Sequence, residues 1–321
     1  MRVRSDDSVE LTFCVVNTSK RDLLARGLDA IERERRALPF ASEVLVLDNG
    51  SRDGSAEMAR LHAGVDEVVA LPQRVGKAFC DSELLRRARG RYALLLNEDS
   101  ELQPGATVAL HGALEGRSDA ACAGARLVRP DGGAQACAWR FPTPLTALAT
   151  AFGLQRPLVV QSTGTRTRDV DWCQSSALLV RRAAAAEVGY LDEAFFVYSD
   201  EVDFARRLRD VGWHSLYVPA AVAIHDEQLS TDAQARPRIV ELSRNRDRYM
   251  RKHHSGAAAR AVRWLTAWAY AVRALVATVL PGHSPRRYWM HVRATLHPDR
   301  GRGVRELAED YNRAGELHAT G

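Results

Sequence analysis

An α/β protein built on a mainly parallel sheet is what this chain of 321 residues predicts, and three observations carry the prediction. Short β-rich apolar runs alternate with amphipathic helical patterns through the N-terminal third, the pitch of βαβ units covered on both faces. The most apolar of those runs, Ala93-Leu94-Leu95-Leu96, ends in Asn97-Glu98-Asp99-Ser100-Glu101. Acids at a strand's carboxyl end sit where open α/β sheets bind ligands. Finally, the alternating body gives way to a basic, aromatic-rich tail of helical character, so one large domain with an appendage is expected.

The elements follow in order. Leu11 to Val16 is a β-rich run, and the polar turn Asn17-Thr18-Ser19 leads into a helix with Leu23, Leu24, Leu28 and Ile31 on one face. Glu43 to Leu47 is a second strand, running into Asp48-Asn49-Gly50-Ser51 and a helical pattern from Ser55. Val65 to Leu71 gives a third strand, Ser82 to Ala88 a third helix, and Ala93 to Leu96 a fourth strand. Beyond Pro104 the pattern loosens. Ala125 to Arg129 with Pro130-Asp131-Gly132-Gly133 predicts a hairpin. Phe141 to Thr167 lacks periodicity and predicts a mobile loop. Ala177 to Val180 resumes a strand, Ala183 to Val188 and Val202 to Val211 read as helices, and Ser215 to Val218 is a last strand.

Apolar content of 46% and charged content of 26% exclude a disordered chain. The five cysteines (Cys14, Cys80, Cys122, Cys137, Cys173) are odd in number and form no C-x-x-C pair. They therefore predict a reducing compartment rather than zinc or redox chemistry. Met1 to Asp7 is polar and reads as no secretory leader. Residues 236 to 305 hold 16 Lys and Arg against three acids, a local +13 in a chain of net +5.

Three constellations carry chemistry. In the acid triplet after the fourth strand, a hard divalent cation could be held by one or two carboxylates together with substrate phosphates; solvated loop acids are the alternative. Leu47-Asp48-Asn49-Gly50-Ser51-Arg52-Asp53-Gly54-Ser55 combines turn glycines with an acid able to accept from a base or ribose hydroxyl; a structural turn is the alternative. It is no G-x-G-x-x-G fingerprint, and Gly76-Lys77 lacks the upstream glycine of a P-loop. The third is Phe195-Phe196-Val197-Tyr198-Ser199-Asp200-Glu201-Val202-Asp203, with His225 ending a later apolar segment. Crowded carboxylates raise one another's pKa, which suits a general base, whereas acids at a helix start also answer the helix dipole.

Taken jointly and in this order, these segments resemble glycosyltransferase family 2, of the GT-A fold. Val44 to Ser55 is similar to that family's V-V-D-N-G-S-x-D-G-S, and Leu94 to Glu101 with Pro104-Gly105 to L-L-N-P-D-T-E-L-x-P-G, its variant of the D-x-D metal motif. Asp171-Trp172, Ser176 to Arg182, Val188 to Glu193, Phe195-Phe196 and Asp200 to His225 resemble the acceptor half of bacterial rhamnosyltransferase-like members, and Arg244-Asn245-Arg246 with Tyr249 and Arg251 to His254 their C-terminal signature. The chain departs from the pattern in carrying Asn17-Thr18-Ser19 in place of T-Y-N, and in the order of Asp200 and Glu201.

The resemblance implies a three-layer α/β/α sandwich with a mainly parallel mixed sheet. The catalytic domain would span residues 1–235, with a nucleotide-binding half at about 10–105 and an acceptor half at about 106–235, and residues 236–321 would form a helical extension. It implies Glu201 or Asp200 as the base, and Asn17, Asp48, Asn49, Gly76, Lys77 and Asn97 around a UDP- or dTDP-sugar. It also implies Asp99 and His225 on Mg²⁺ or Mn²⁺, and Trp172 with Asp203 at the sugar or acceptor pocket. The implied activity is inverting sugar transfer, rhamnose leading, to a carbohydrate, lipid-linked or small-molecule acceptor, at the cytoplasmic face of the membrane.

Val262 to Leu280 is apolar but broken by Arg263 and Arg273, and a central arginine costs roughly 2.5–3.5 kcal/mol on insertion scales. Residues 257–297 thus read as lying at a membrane interface rather than spanning it, the alternative being helices packed on the catalytic domain or in a dimer. The competing function class is a non-catalytic nucleotide-sugar, nucleic-acid or membrane binder using the basic tail. Nothing in the tail matches a nucleic-acid module, and its charge equally suits phosphate-bearing lipid.

Overall fold

The computed structural model of the chain describes residues 9–226, 232–280 and 282–319. The polar stretch Met1 to Asp7 and Pro281 lie outside the described residues. β1 (Leu11–Asn17), β2 (Ser42–Asn49) and β4 (Tyr92–Asn97) are apolar on both faces because helices cover both. β1 pairs in parallel with both β2 and β4, and β3 (Glu67–Leu71) extends the sheet beyond β2. Three helices make the crossovers: α1 (Arg21–Ala37), α2 (Ser55–Leu61) and α3 (Lys77–Arg87). Leu24, Leu28 and Ile31 of α1 are buried, the face its periodicity marks.

The chain leaves β1 toward β2 and β3 on one side and later returns to β4 on the other. The carboxyl ends of β1 and β4 therefore flank a switch point, where open sheets leave a crevice. Register opposes Asn17 to Asp48 and Val16 to Asn97, so the polar ends of three strands stand side by side.

The second half makes the sheet mixed. β10 (Ala177–Arg181) runs antiparallel to β4 and to β6 (Ala120–Val128); β6 is parallel to β11 (His214–His225), which pairs antiparallel with β5 (Ser100–Leu102) and β8 (Arg168–Val170). α4 (Ala106–Glu115) lies between β5 and β6 in the chain, and Glu34 of α1 fixes its start by accepting from the Gly105 and Thr107 amides, each at 2.7 Å. β7 (Ala138–Trp139) and β9 (Trp172–Cys173) form a separate two-stranded piece. α7 (Arg182–Glu187) and α8 (Asp200–Asp210) complete the body. All five cysteines are free and buried.

Several expectations are corrected. The predicted mobile loop contains α5 (Pro144–Ala151) and α6 (Gln155–Leu158). α5 is set by a capping box between Thr143 and Thr146, with Pro144 in its first turn. The hairpin at 125–133 reduces to a single bridge, Val128 to Ala134, because Ala125 to Val128 belong to β6 and pair with β11. α3 begins at Lys77, five residues ahead of the expected start at Ser82, with Ala78 and Cys80 already buried, and β11 continues through an irregularity between Val218 and Val222 to reach His225.

Four helices form the C-terminal region: α9 (Asp232–His253), α10 (Gly256–Val276), α11 (Pro285–Leu296) and α12 (Val304–Ala319). α9 is bolted to the body. Asn245 Nδ2 donates to the Val197 carbonyl at 2.8 Å, and Lys252 and His253 meet Asp203 at 2.7 Å each. Tyr249 and Met250 are buried with Phe195 and Val202. This packing accounts for the aromatic and basic residues closing α9.

Candidate active site

A cavity of about 520 Å³ opens at the switch point. Thr18, Ser19, Asn49, Arg74 and Val75 line it on the β1–β2–β3 side, Asn97, Glu98, Asp99 and His225 on the β4–β5–β11 side, and Lys77, Phe196 and Tyr198 close it. Of the residues expected at the site, Asn49, Lys77, Asn97, Asp99 and His225 line this cavity directly.

Asn17 and Asp48 form its buttress. Asn17 Nδ2 donates to Asp48 Oδ1 at 2.7 Å and the Ser51 amide donates to Asp48 Oδ2 at 3.0 Å, so both oxygens of this 2%-exposed carboxylate hold the β2 turn. Asn17 Oδ1 is buried without a hydrogen-bond partner. Gly50 makes that turn possible: its φ is +63°, and a Cβ there would come within 2.8 Å of the Gln73 backbone. Asn49 ties the neighbouring loop down, donating to the Val75 carbonyl at 3.0 Å and accepting from its amide at 2.8 Å.

Gly76 has a steric reason as well. A Cβ would meet the Phe196 carbonyl at 2.8 Å, and the Lys77 amide donates to the same oxygen at 2.7 Å. The segment before α8 is thereby drawn onto the start of α3. There Tyr198 and Ser199 hold left-handed backbone, φ +67° and +60°, a costly conformation for non-glycine residues that concentrates at functional sites. Asp200 and Glu201 follow at once.

The carboxylates beside Lys77 form an electrostatic cluster. Lys77 Nζ donates to Asp81 Oδ2 at 2.5 Å and to Ser175 Oγ at 3.2 Å. Burial opposes its charge, but Asp81, Asp200 and Glu201 more than offset that, and the ammonium's pKa is raised. Burial first and Asp200 second push the Glu201 carboxyl well above the usual range. Asp200 is buried with Oδ2 unpartnered.

At the opposite end, Asn97 Nδ2 donates to Ser176 Oγ at 3.0 Å, and that hydroxyl lies 3.1 Å from His225 Nε2. His225 Nε2 is 3.4 Å from Asp99 Oδ1. Gln135 sets the ring: its Nε2 donates to the His225 carbonyl, leaving Oε1 to accept from Nδ1–H, both at 3.1 Å. The Nε2 lone pair therefore faces Asp99 and Ser176. Asn97 Oδ1 and Asp99 Oδ1 are buried without hydrogen bonds, in a region rich in oxygen donors. Burial raises the Asp99 carboxyl while His225 works to lower it; burial and then Asp99 push Glu98 up to about 7. Two buried orphan oxygens beside an imidazole lone pair are a donor set that fits a divalent cation completed by substrate phosphate.

Asp200, Glu201, Trp172 and Asp203 are not among the residues lining the cavity. Trp172 stacks on Trp139, centroids 4.5 Å apart, and donates to the Arg140 carbonyl at 3.2 Å. Asp203 is fully buried, with Arg207 on one oxygen at 2.8 Å and Lys252 and His253 on the other. Gln135, Arg74 and the cavity-lining residues Pro237, Arg238, Val304, Leu307 and Ala308 of α9 and α12 were not singled out from sequence. No spacing signal marks them, because they reach the site only through tertiary packing.

Comparison with known proteins bears on this geometry. A family model, "Glycosyl transferase family 2", matches residues 12–174, half of the chain. The "N-acetylglucosaminyl-diphospho-decaprenol L-rhamnosyltransferase" of Mycobacterium tuberculosis is 26% identical over 275 residues, covering 76% of this chain and 87% of that protein. Among solved structures, the mannosyltransferase PcManGT of Pyrobaculum calidifontis, in complex with GDP-Man and Mn²⁺, superposes with a TM-score of 0.56 at 16% identity, over 98% of this chain and 88% of that one. GalNAc-T7 with UDP, GalNAc and Mn²⁺ gives 0.54 at 15% identity, over 95% and 57%.

Proposed function

Since this chain belongs to glycosyltransferase family 2 and carries its GT-A fold, we propose that it is an inverting, metal-dependent enzyme that transfers a sugar, L-rhamnose first, from a dTDP- or UDP-donor to a lipid-linked saccharide. The observation that carries the reading is one crevice lined at one end by oxygen and imidazole groups (Asn97, Asp99, His225) and bordered by Lys77, whose ammonium is coupled to the carboxylates of Asp81, Asp200 and Glu201 behind the wall.

The donor's nucleoside lies toward Asn49, with the Asn17–Asp48 pair bracing that wall, and its diphosphate toward Asp99. A divalent cation, Mg²⁺ or Mn²⁺, would be held by Asp99 and His225 with Asn97 beside them, and supplies charge neutralisation for the departing diphosphate. Glu201 accepts the proton of the acceptor hydroxyl. The acceptor oxygen bonds to the anomeric carbon as that carbon's bond to the diphosphate oxygen breaks, inverting the centre. A raised pKa makes the ionised carboxylate a stronger proton acceptor than an ordinary one. Lys77, held by Asp81 and Ser175, offsets the charge of Asp81, Asp200 and Glu201 while they are ionised.

The rhamnosyltransferase relative acts, by its name, on a diphospho-decaprenol compound. A lipid-borne acceptor requires access to a membrane surface, and α10 supports it: Trp264 and Trp268 are 65% and 60% exposed, and Leu275 and Val279 continue their face. On the neighbouring α5, Leu145 and Phe152 are also exposed. Among the described residues no helix is long and apolar enough to cross a membrane; the exposed aromatic face is what we assign to interfacial contact within residues 257–297, at the inner face.

The test is release of dTDP or UDP from a panel of nucleotide sugars with Mn²⁺, Mg²⁺ or chelator, for the wild type, Asp99→Ala and Glu201→Gln. Metal-dependent release from one donor, lost in Asp99→Ala and strongly reduced in Glu201→Gln, is expected. Undiminished release in both variants would refute the assignment.

A further inference from the structure

α12 is tied to the loops after β1, β2 and β3 that frame one end of the cavity. Asn312 of α12 clamps the backbone of Arg74 on both sides: the Arg74 amide donates to its Oδ1 at 2.8 Å, and its Nδ2 donates to the Arg74 carbonyl at 2.9 Å. The Arg74 guanidinium donates to Ser19 Oγ at 2.8 Å and lies over the Tyr311 ring, 3.5 Å from its centroid. Arg52, from the β2 turn, approaches the same ring at 4.1 Å and donates to the Tyr311 carbonyl at 3.0 Å. At its other end α12 is pinned to α9, where Arg244 bridges Glu241 and Glu306. Between these anchors Leu307 and Ala308 line the cavity, as does Val304 just ahead of Glu306.

The loops after β1, β2 and β3 offer this end mainly polar groups: Thr18, Ser19, Asn49 and Arg74. A nucleoside presents a polar edge and two flat apolar faces, so such loops, with Val75 as their one apolar lining side chain, can read its edge and back one face but leave the other uncovered. We propose that α12 supplies that cover. Leu307 is the packing residue for the nucleoside of the donor, and the Asn312–Arg74–Tyr311 contacts are the latch that sets its depth.

Two observations favour the nucleoside over the acceptor as occupant. α12 is latched to the loops of β1, β2 and β3, whereas the Asp99–His225 end belongs to β4, β5 and β11 on the other side of the switch point. In addition, Leu307 is 41% exposed although it borders the cavity, leaving apolar surface open for a ligand to cover. The inference rests on the donor reading given above and specifies which residues hold one part of that donor.

The experiment measures binding of dTDP and of UDP by calorimetry, with Mn²⁺, to the full chain and to Leu307→Asp, Leu307→Met and Asn312→Ala. Unliganded thermal midpoints and hydrogen exchange across 304–316 are recorded alongside. Leu307→Asp should weaken nucleotide binding about tenfold or more, the loss expected from removing one apolar contact and placing a charge there, with the unliganded midpoint unchanged. Leu307→Met should restore it, Asn312→Ala should weaken it severalfold, and nucleotide should slow exchange in α12. Equal affinity in wild type and Leu307→Asp with unaltered exchange would overturn the proposal. Tighter binding in Leu307→Asp would also overturn it, by making α12 a plug rather than a wall. A wild type that binds neither nucleotide would refute the donor reading itself, and this inference with it.

Discussion

Replacing Gln135 by methionine asks how His225 is prepared for a cation. The glutamine spans the histidine, donating to its carbonyl and accepting from Nδ1–H, both at 3.1 Å. Methionine keeps the volume in a position only 6% exposed but removes both partners. Two neutral hydrogen bonds at about 1 kcal/mol each put the stability loss near 2 kcal/mol. The functional loss has another origin. With Nδ1 released, the imidazole can carry its proton on Nε2, the nitrogen 3.4 Å from Asp99, and rotate away from it. Loss of such a supporting partner typically lowers metal affinity about 10- to 100-fold, equivalent to about 1.4–2.7 kcal/mol. The assay is the Mn²⁺ concentration that half-saturates nucleotide binding, compared among wild type, Gln135→Met and Gln135→Glu. Glutamate still accepts from Nδ1–H and should stay within a few-fold of wild type. A Gln135→Met protein that is less stable yet needs no more Mn²⁺ than wild type would refute the reasoning, leaving Gln135 a packing residue.

Three other outcomes are expected. Because burial and Asp200 raise the Glu201 pKa, the folded protein binds more protons than the unfolded one between the ordinary carboxylate value and the raised one. Stability therefore falls as pH rises through that window. Glu201→Gln should match the wild-type midpoint at acid pH and exceed it at pH about 8, and identical pH profiles would show that Glu201 is not the titrating group. Asp203→Ala should cost about 2–3 kcal/mol in urea unfolding, since it removes a fully buried carboxylate that accepts charged hydrogen bonds from Arg207 on α8 and from Lys252 and His253 on α9; a loss under about 1 kcal/mol would rule out this role. Trp264→Ser with Trp268→Ser should weaken sedimentation with phosphatidylglycerol vesicles at least tenfold while nucleotide binding persists, and undiminished sedimentation would remove α10 as the contact.

The central strands were legible because parallel strands covered on both faces read as unbroken apolar runs, as in Leu11 to Val16 and Tyr92 to Leu96. Their polar ends were legible as the Asp or Asn that closes such a run, but which of them face the crevice was not: Asn49 and Asn97 line it, whereas Asn17 and Asp48 are buried and bonded to each other. α5 escaped because its Leu145, Leu148 and Phe152 face outward, so no buried stripe marks it. β5, β7, β8 and β9, two or three residues each, are strands only by virtue of partners far away in the chain. Gln135 and Ser176 gained their places from β11 and β4, not from any local pattern. Asp203 reads from sequence as one more acid at a helix start, and only the arrival of α9 shows it to be the bolt between two segments.

The latch between α12 and the donor loops also sets an order of assembly. Arg74 and Asn312 are 238 positions apart, while the sheet strands on which the crevice stands come together from the first 225 residues. Chains are made and largely folded from the amino end, so the sheet can close while the residues that complete the crevice are still being synthesised. A chain clipped within α12 would retain its strands and its circular dichroism but lose a wall of the cavity. Nucleotide affinity would thus report that synthesis had passed α12, whereas spectroscopic signs of a closed sheet would not.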